Sequence, residues 1–186
     1  MHEKRFHGDA ARLRSPERVR RLSVEKIIDL SLEGLSGTNG PVRVLDVGTG
    51  SALFAEHFAA RGCAVAGVDA DPAMVKLAAE HVPSGIFRHG IAETLPFPDS
   101  SYDLVFMGFV FHETDEPVAT LREAARAGTQ RISIAEWPYR TEEFGPPIEH
   151  RLDPAKVLSW MQEAGLADGA VTELEHVLLY TARIPG

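Results

Sequence analysis

Two acids stand beside glycines at a spacing that suits ligand binding. Asp46-Val47-Gly48-Thr49-Gly50 closes the apolar run VRVLDV (42–47) and opens SALFAEHFAARG (51–62). A strand, a glycine turn and a helix together form a site where a nucleotide edge can lie. The dinucleotide fingerprint G-x-G-x-x-G requires a third glycine at position 53, where Leu53 stands. A phosphate loop requires Gly-Lys-Ser or Gly-Lys-Thr, and this segment has no lysine. A carboxylate at the strand tip repels an anion and favours a cationic amine or sulfonium. The second acid, Asp69 in AVAGVDADP, ends the next apolar run 19 residues after Gly50. A carboxylate there suits the two hydroxyls of a ribose, a spacing that NAD enzymes share. Keeping the ribose acid, losing the pyrophosphate glycine and gaining Asp46 describes a nucleoside with a positive group and no phosphates.

Other reactive side chains cluster later in the chain. His112 follows Phe109-Val110-Phe111 and precedes Glu113. A histidine at a strand end beside a ligand can act as general base or orient an acceptor; it also fits a packing role with one hydrogen bond. HETDE (112–116) is not a zinc helix, because Glu116 occupies the place of the second histidine, and no metal site is expected. Glu136-Trp137 ends a further apolar run. Trp137, Tyr139 and Phe144, with Gly145-Pro146-Pro147, suit either an acceptor-pocket wall or a rigid loop packed on a sheet edge. Phe6, His7 and the RLRSPER segment suit a lid in which Arg12 or Arg14 reaches a ligand carboxylate, or a solvated basic end.

The elements that must position these residues alternate. One helical stripe is expected over 14–34, followed by the breaker SGTNGP. Strands are expected at 42–47, 64–69, 85–90, 102–111 and 131–137, separated by helices at 51–62, 71–81 and 116–127. Asp71-Pro72 and Asp153-Pro154 are helix-start signals. A loop (138–153), a helix (154–165) and two strands near 168–174 and 176–184 complete the chain, the last pair as an antiparallel hairpin. Near-continuous apolar strands separated by helices imply an α/β fold with a mostly parallel sheet covered on both faces. Ligands bind such sheets at the strands' carboxyl ends, which the leading helix is free to cover.

Bulk properties narrow the partners. With 186 residues, 44% of them hydrophobic, the chain is long enough for one sizeable core. A net charge of -8 argues against a nucleic-acid backbone partner. A single cysteine, Cys63, excludes an internal disulfide and a cysteine metal cluster. The charged start, MHEKRFHGDAARLR, lacks the apolar core of a signal peptide, and no run reaches the ~20 apolar residues of a membrane span. A cytoplasmic protein is expected.

Four ordered motifs, VLDVGTGSA (44–52), GVDADPAMV (67–75), IAETLPFPDSSYDLV (91–105) and FVFHE (109–113), make the chain resemble the class I S-adenosylmethionine-dependent methyltransferases. The likeness is to the branch that includes the quinone-biosynthesis C-methyltransferases. FVFHE, AEWPYR and FGPPIEHR are similar to a small bacterial subgroup. The resemblance implies a three-layer Rossmann-like fold with a seven-stranded, mostly parallel sheet and an antiparallel C-terminal hairpin. It implies a single methyltransferase domain over 1–186, with a helical cap (1–40), a cofactor core (41–137) and an acceptor-side segment (138–186). It implies S-adenosyl-L-methionine as cofactor, S-adenosyl-L-homocysteine as product and a small-molecule methyl acceptor. By the same resemblance, Asp46, Gly48, Thr49 and Gly50 face the methionine part. Asp69 takes the ribose hydroxyls, and Ala70 and Met74 pack near adenine. Ala92 and Glu93 sit at the adenine edge, and Met107, Gly108 and Phe109 line the floor. The family pattern has an aspartate where this chain has Ile91, which leaves the adenine amino group to Glu93 or a backbone carbonyl. Two other functions compete: a non-catalytic S-adenosylmethionine-binding module, and a nicotinamide-dependent oxidoreductase, which Leu53 opposes.

Overall fold

The computed structural model describes residues 14–37 and 40–186. Phe6, His7 and Arg12, the proposed lid residues, lie outside the described residues. Two short helices come first, α1 (Pro16–Arg21) and α2 (Val24–Leu32). The single stripe expected over 14–34 is broken, because Ser23 takes a left-handed conformation at φ 52° and re-aims the chain. The αβ alternation follows with β1 (Arg43–Val47), α3 (Leu53–Ala60), β2 (Ala64–Asp69), α4 (Pro72–His81), β3 (Ile86–His89) and β4 (Tyr102–Gly108). Next come α5 (Pro117–Ala127), β5 (Gly128–Glu136), α6 (Pro154–Glu163), β6 (Ala167–Glu173) and β7 (Leu178–Arg183). Ser15 and the two signalled aspartates cap their helices: Ser15 accepts from the Arg18 N–H, Asp71 from Ala73 and Asp153 from Ala155.

The strands form one seven-stranded sheet in the order β3-β2-β1-β4-β5-β7-β6. The first five are parallel, and β7 runs antiparallel to both β5 and β6. This is the Rossmann-like arrangement expected from the sequence. Alternation along β4 sends Leu104 and Phe106 to one face and Val105 and Met107 to the other. The first face packs on α2 and α3 through Ile27, Ile28, Phe54 and Phe58. The second packs on α5 and α6 through Leu121, Ala124, Val157 and Met161.

One boundary matters for the site. β4 ends at Gly108 rather than running to Phe111. Phe109 adopts φ 58°, and its N–H still bonds the Ala135 carbonyl at 2.8 Å. The chain then turns through a one-turn 3₁₀ helix (Phe111–Glu113). His112 therefore rides on that turn and not on a straight strand end.

Candidate active site

The order β2-β1-β4-β5 places the carboxyl ends of four parallel strands side by side. The connection reverses direction across the sheet between β1 and β4, which is where α/β sheets open a crevice. A cavity of about 1230 Å³ lies there. Pockets for drug-sized ligands span about 300–1,000 Å³, so this space admits a nucleoside cofactor and a second small molecule. Gly48, Gly50, Asp69, Ala70, Met74, Ala92, Glu93, Gly108, His112 and Trp137, all singled out in the sequence, line it together.

The glycine turn itself is not a phosphate cradle. The N–H groups of Gly48 and Thr49 both donate to the Val68 carbonyl, at 2.8 and 3.0 Å. The N–H of Gly50 donates to Asp69 Oδ2 at 2.8 Å. Three consecutive donors that would hold an anion are thus committed within the protein. Gly48 has φ 68°, and a Cβ on it would come within 2.4 Å of Val110 Cγ2, so only glycine fits.

The two acids separate in role. Asp69 sits in the cavity wall, where Oδ1 also accepts from the Asp71 N–H at 2.9 Å. Burial raises its pKa, against the pull of the Asp71 and Gly50 hydrogen bonds. The Ala70 backbone also bonds this carboxylate, whose roughly four acceptor sites are thus not all taken up within the protein. Asp46 is different. It is 1% exposed and does not border the cavity. Its Oδ2 accepts from Thr49 Oγ1 at 2.8 Å, and the backbone of Ala55 in the first turn of α3 also bonds it. Burial pushes its carboxyl up to about 7; the Thr49 hydrogen bond opposes this and the nearby charge of Asp69 adds to it.

Three expectations need correction. Asp46 and Thr49 lie beneath the turn instead of facing a ligand, because the carboxylate is drawn to the start of α3. Met107 is fully buried in the second core, since strand alternation turns it away from the crevice. Tyr139 is 50% exposed and borders a separate small cavity beside Pro138 and Arg140. Glu93 lines the cavity as expected, and its Oε1 also accepts from the Asp115 N–H at 3.1 Å, which ties the 112–116 turn to the cavity rim.

The sequence singled out His112 but gave it no partner. Its Nδ1 faces Glu136, 1% exposed at the end of β5, and its Nε2 lies 4.0 Å from Glu113 Oε1. His112 Nδ1 lies 2.9 and 3.0 Å from the two carboxylate oxygens of Glu136. The backbone N–H groups of His112 and Trp137 donate to the same carboxylate at 3.0 and 3.1 Å. Three donors converging on a buried carboxylate keep it oriented. With Nδ1 carrying a proton toward Glu136, the lone pair of the ring is at Nε2. A carboxylate inside the apolar run ISIAEW was the available signal, since such a group requires donors.

The wall opposite β2 is aromatic. Phe109 and Trp137 contact each other with ring centroids 4.7 Å apart. The Trp137 loop is clasped by Arg151, whose guanidinium donates to the carbonyls of Pro138, Phe144 and Pro146 at 2.5–3.0 Å. Arg14 bonds the Ser51 carbonyl at 2.7 Å and pairs with Glu56, which ties the entry to α1 over the start of α3.

Comparison with known proteins agrees with this geometry. Residues 45–130 match the family model described as a methyltransferase domain. A demethylmenaquinone methyltransferase of Renibacterium salmoninarum is 34% identical over 106 residues, covering 56% of this chain and 44% of its own length. A ubiquinone biosynthesis O-methyltransferase of Maricaulis maris is 29% identical over 160 residues, 72% of this chain and 63% of that protein. The chain thus spans 44% and 63% of the length of these two relatives. The crystal structure of a SAM-dependent methyltransferase from Aquifex aeolicus superimposes with a TM-score of 0.83 at 26% identity, covering 95% of this chain and 97% of that one. Among the described residues, no helix is long and apolar enough to cross a membrane, and no cluster of ligating side chains could hold a metal ion.

Proposed function

We infer that this chain, which belongs to the class I S-adenosylmethionine-dependent methyltransferases, transfers the methyl group of S-adenosyl-L-methionine to a small-molecule acceptor. The observation that carries this reading is the glycine turn, with its N–H groups committed to Val68 and Asp69 and a buried acid beneath it. Such a turn rejects phosphate and tolerates a cation. The cofactor, when bound, supplies an electrophilic methyl on a sulfonium whose thioether is a good leaving group.

The chain's own residues do the rest. The Gly48–Gly50 turn supports the methionine part, and Asp69 accepts from the ribose hydroxyls. Ala70, Met74, Ala92 and Glu93 border the adenine, and Gly108 forms the floor. Trp137 and Phe109 close the acceptor side. Where the acceptor carries an O–H or N–H, His112 Nε2 takes that proton, and Glu136 stabilises the imidazolium through Nδ1. The acceptor's freed electron pair forms the new bond to carbon as the sulfur–carbon pair returns to sulfur. Holding both reactants in line supplies much of the rate. The demethylmenaquinone methyltransferase and the ubiquinone biosynthesis O-methyltransferase among the relatives support a small-molecule acceptor.

Thermal-shift titration with S-adenosylmethionine, S-adenosylhomocysteine and NAD tests the cofactor, since a ligand at 100 times its Kd stabilises by about 2.7 kcal/mol. Stabilisation by NAD and not by S-adenosylmethionine would refute the reading. Incubating metabolite pools with methyl-labelled cofactor tests the transfer. Tight cofactor binding with no labelled product from any pool points to a sensor instead of an enzyme.

A further inference from the structure

Two arginines flank Trp137, and they differ. The Arg151 guanidinium carbon lies 5.8 Å from the ring and spends its donors on three loop carbonyls. The Arg18 guanidinium carbon lies 5.6 Å from the Trp137 ring and 5.9 Å from the Phe109 ring, and Arg18 lines the cavity. Among the described residues, its side chain has no hydrogen bond or carboxylate partner, and its Nε is buried without an acceptor. Its neighbours are already paired: Arg14 with Glu56, and Arg21 with Glu17. A half-buried guanidinium stacked on aromatic rings, next to a second cation and without a counter-ion, costs stability. Burial, with the charge of Arg21 second, accordingly lowers its pKa, although a guanidinium stays protonated.

We propose that Arg18 is the anion receptor of the cavity, taking an acidic group of the methyl acceptor, a carboxylate or ionised phenol, against the Phe109–Trp137 wall. The inference rests on the methyl-transfer reading and adds the charge of the substrate to it. Position separates this group from the ribose site. Asp69 ends β2 and Trp137 follows β5, three strands apart in the sheet, or about 14 Å at the usual spacing. The carboxylates of the lining are Asp69 and Asp71 after β2, and Glu93, Glu113, Asp115 and Glu116 on the turns that follow β3 and β4; among the described residues none of them lies on the Trp137 loop. An acidic acceptor is therefore repelled from the cofactor end and drawn to the aromatic end. That orientation presents the rest of the acceptor to His112 and the sulfonium. The planar fork of the guanidinium suits bidentate pairing with a carboxylate.

The test uses protein saturated with S-adenosylhomocysteine and two probe pairs, benzoate with benzamide and hexanoate with hexanamide, followed by calorimetry. The expected result is that at least one acid binds about ten-fold or more tightly than its amide, as one charge-assisted contact gives. Arg18→Met should abolish that preference, and Arg18→Lys should keep part of it. The melting temperature of Arg18→Met should hold or rise, since an unpaired cation is removed, whereas a structural arginine would lower it. S-adenosylhomocysteine affinity should change by less than about three-fold. Equal binding of acid and amide in both pairs overturns the proposal, as does a preference that survives in Arg18→Met. A ten-fold loss of S-adenosylhomocysteine affinity also overturns it and assigns Arg18 to the cofactor's own carboxylate. Failure of wild-type protein to bind S-adenosylhomocysteine overturns the methyl-transfer reading itself, a distinct outcome.

Discussion

Asp69 is the residue on which the cofactor assignment can be tested most sharply. Its carboxylate has two duties in the structure. It holds the free protein's turn through the N–H groups of Gly50 and Asp71, at 2.8 and 2.9 Å, and it faces the cavity. Two ribose hydroxyls on the remaining acceptor sites would contribute about 1.5–3 kcal/mol each, because the acceptor is charged. Asp69→Ala then weakens S-adenosylhomocysteine by about 10²- to 10⁴-fold. Part of that loss comes from loosening the turn, so alanine alone overstates the contact. Asp69→Asn separates the two duties. It keeps the shape and one accepting oxygen, and replaces the other oxygen by a donor that opposes an N–H or a hydroxyl. Its expected loss is about 10- to 10²-fold. Calorimetry with S-adenosylhomocysteine and its 2′-deoxy analogue completes a double cycle. In wild type the deoxy analogue binds more weakly; in Asp69→Asn the two ligands should bind alike. An affinity for Asp69→Asn within about two-fold of wild type would refute the ribose assignment. So would a deoxy penalty of equal size in both proteins, since the two losses would then be independent.

Four further outcomes follow from the same geometry. Cofactor binding should strengthen as pH rises from about 6 to 8, because a cation over the turn favours ionised Asp46, whose carboxyl is pushed up to about 7 in the free protein, and binding then releases a proton; calorimetry in buffers of different ionisation enthalpy detects it, and proton uptake would contradict it. With a folded pKa above the unfolded one, Asp46 lowers stability progressively as pH rises from the ordinary carboxylate range through about 7, so Asp46→Asn should raise the melting temperature more at pH 8 than at pH 5. Glu136→Gln should leave S-adenosylhomocysteine affinity unchanged and cut turnover by about 10²- to 10⁴-fold with an O–H or N–H acceptor; unchanged turnover in a labelled-methyl assay would reduce the His112–Glu136 pair to packing. Arg151→Met should cost about 2–4 kcal/mol in urea unfolding and speed hydrogen exchange in residues 138–150, because three carbonyls lose a buried charged donor; protection equal to wild type would show that the loop holds itself.

The strands of this sheet, though not their order, were legible because buried strands and helices have different periods. VRVLDV, AVAGVD and RISIAEW carry apolar residues on both faces, which only a covered parallel strand requires. The site's backbone was legible for a related reason: glycine and the acids at strand ends leave marks at fixed offsets. What escaped was direction. Nothing in Asp46-Val47-Gly48 says whether the carboxylate points up to a ligand or down to the first turn of α3. Tertiary contacts with Thr49 and Ala55 decide it. Met107 was misplaced because alternation shows which residues of β4 share a face with Val105, and not which face meets the crevice. The His112–Glu136 contact joins residues 24 apart through neighbouring strands, and such pairs follow from strand order, not from local pattern.

The buried Asp46 also bears on why the turn rejects phosphate. A glycine turn whose N–H groups pointed outward could be adapted to an anion by changing side chains alone. Here the Gly48 and Thr49 donors are held by Val68, and the Gly50 donor by Asp69, so the backbone itself would have to reorganise. Removing Asp46 would lift the repulsion but free none of those donors. Removing Asp69 would free one, and would take the proposed ribose contact with it. Selectivity for a cationic nucleoside over a dinucleotide therefore resides in the register between β1 and β2, which pairs Val47 with Val68, more than in any one side chain. A screen for NAD binding among single substitutions in residues 46–53 should accordingly find none that gains it.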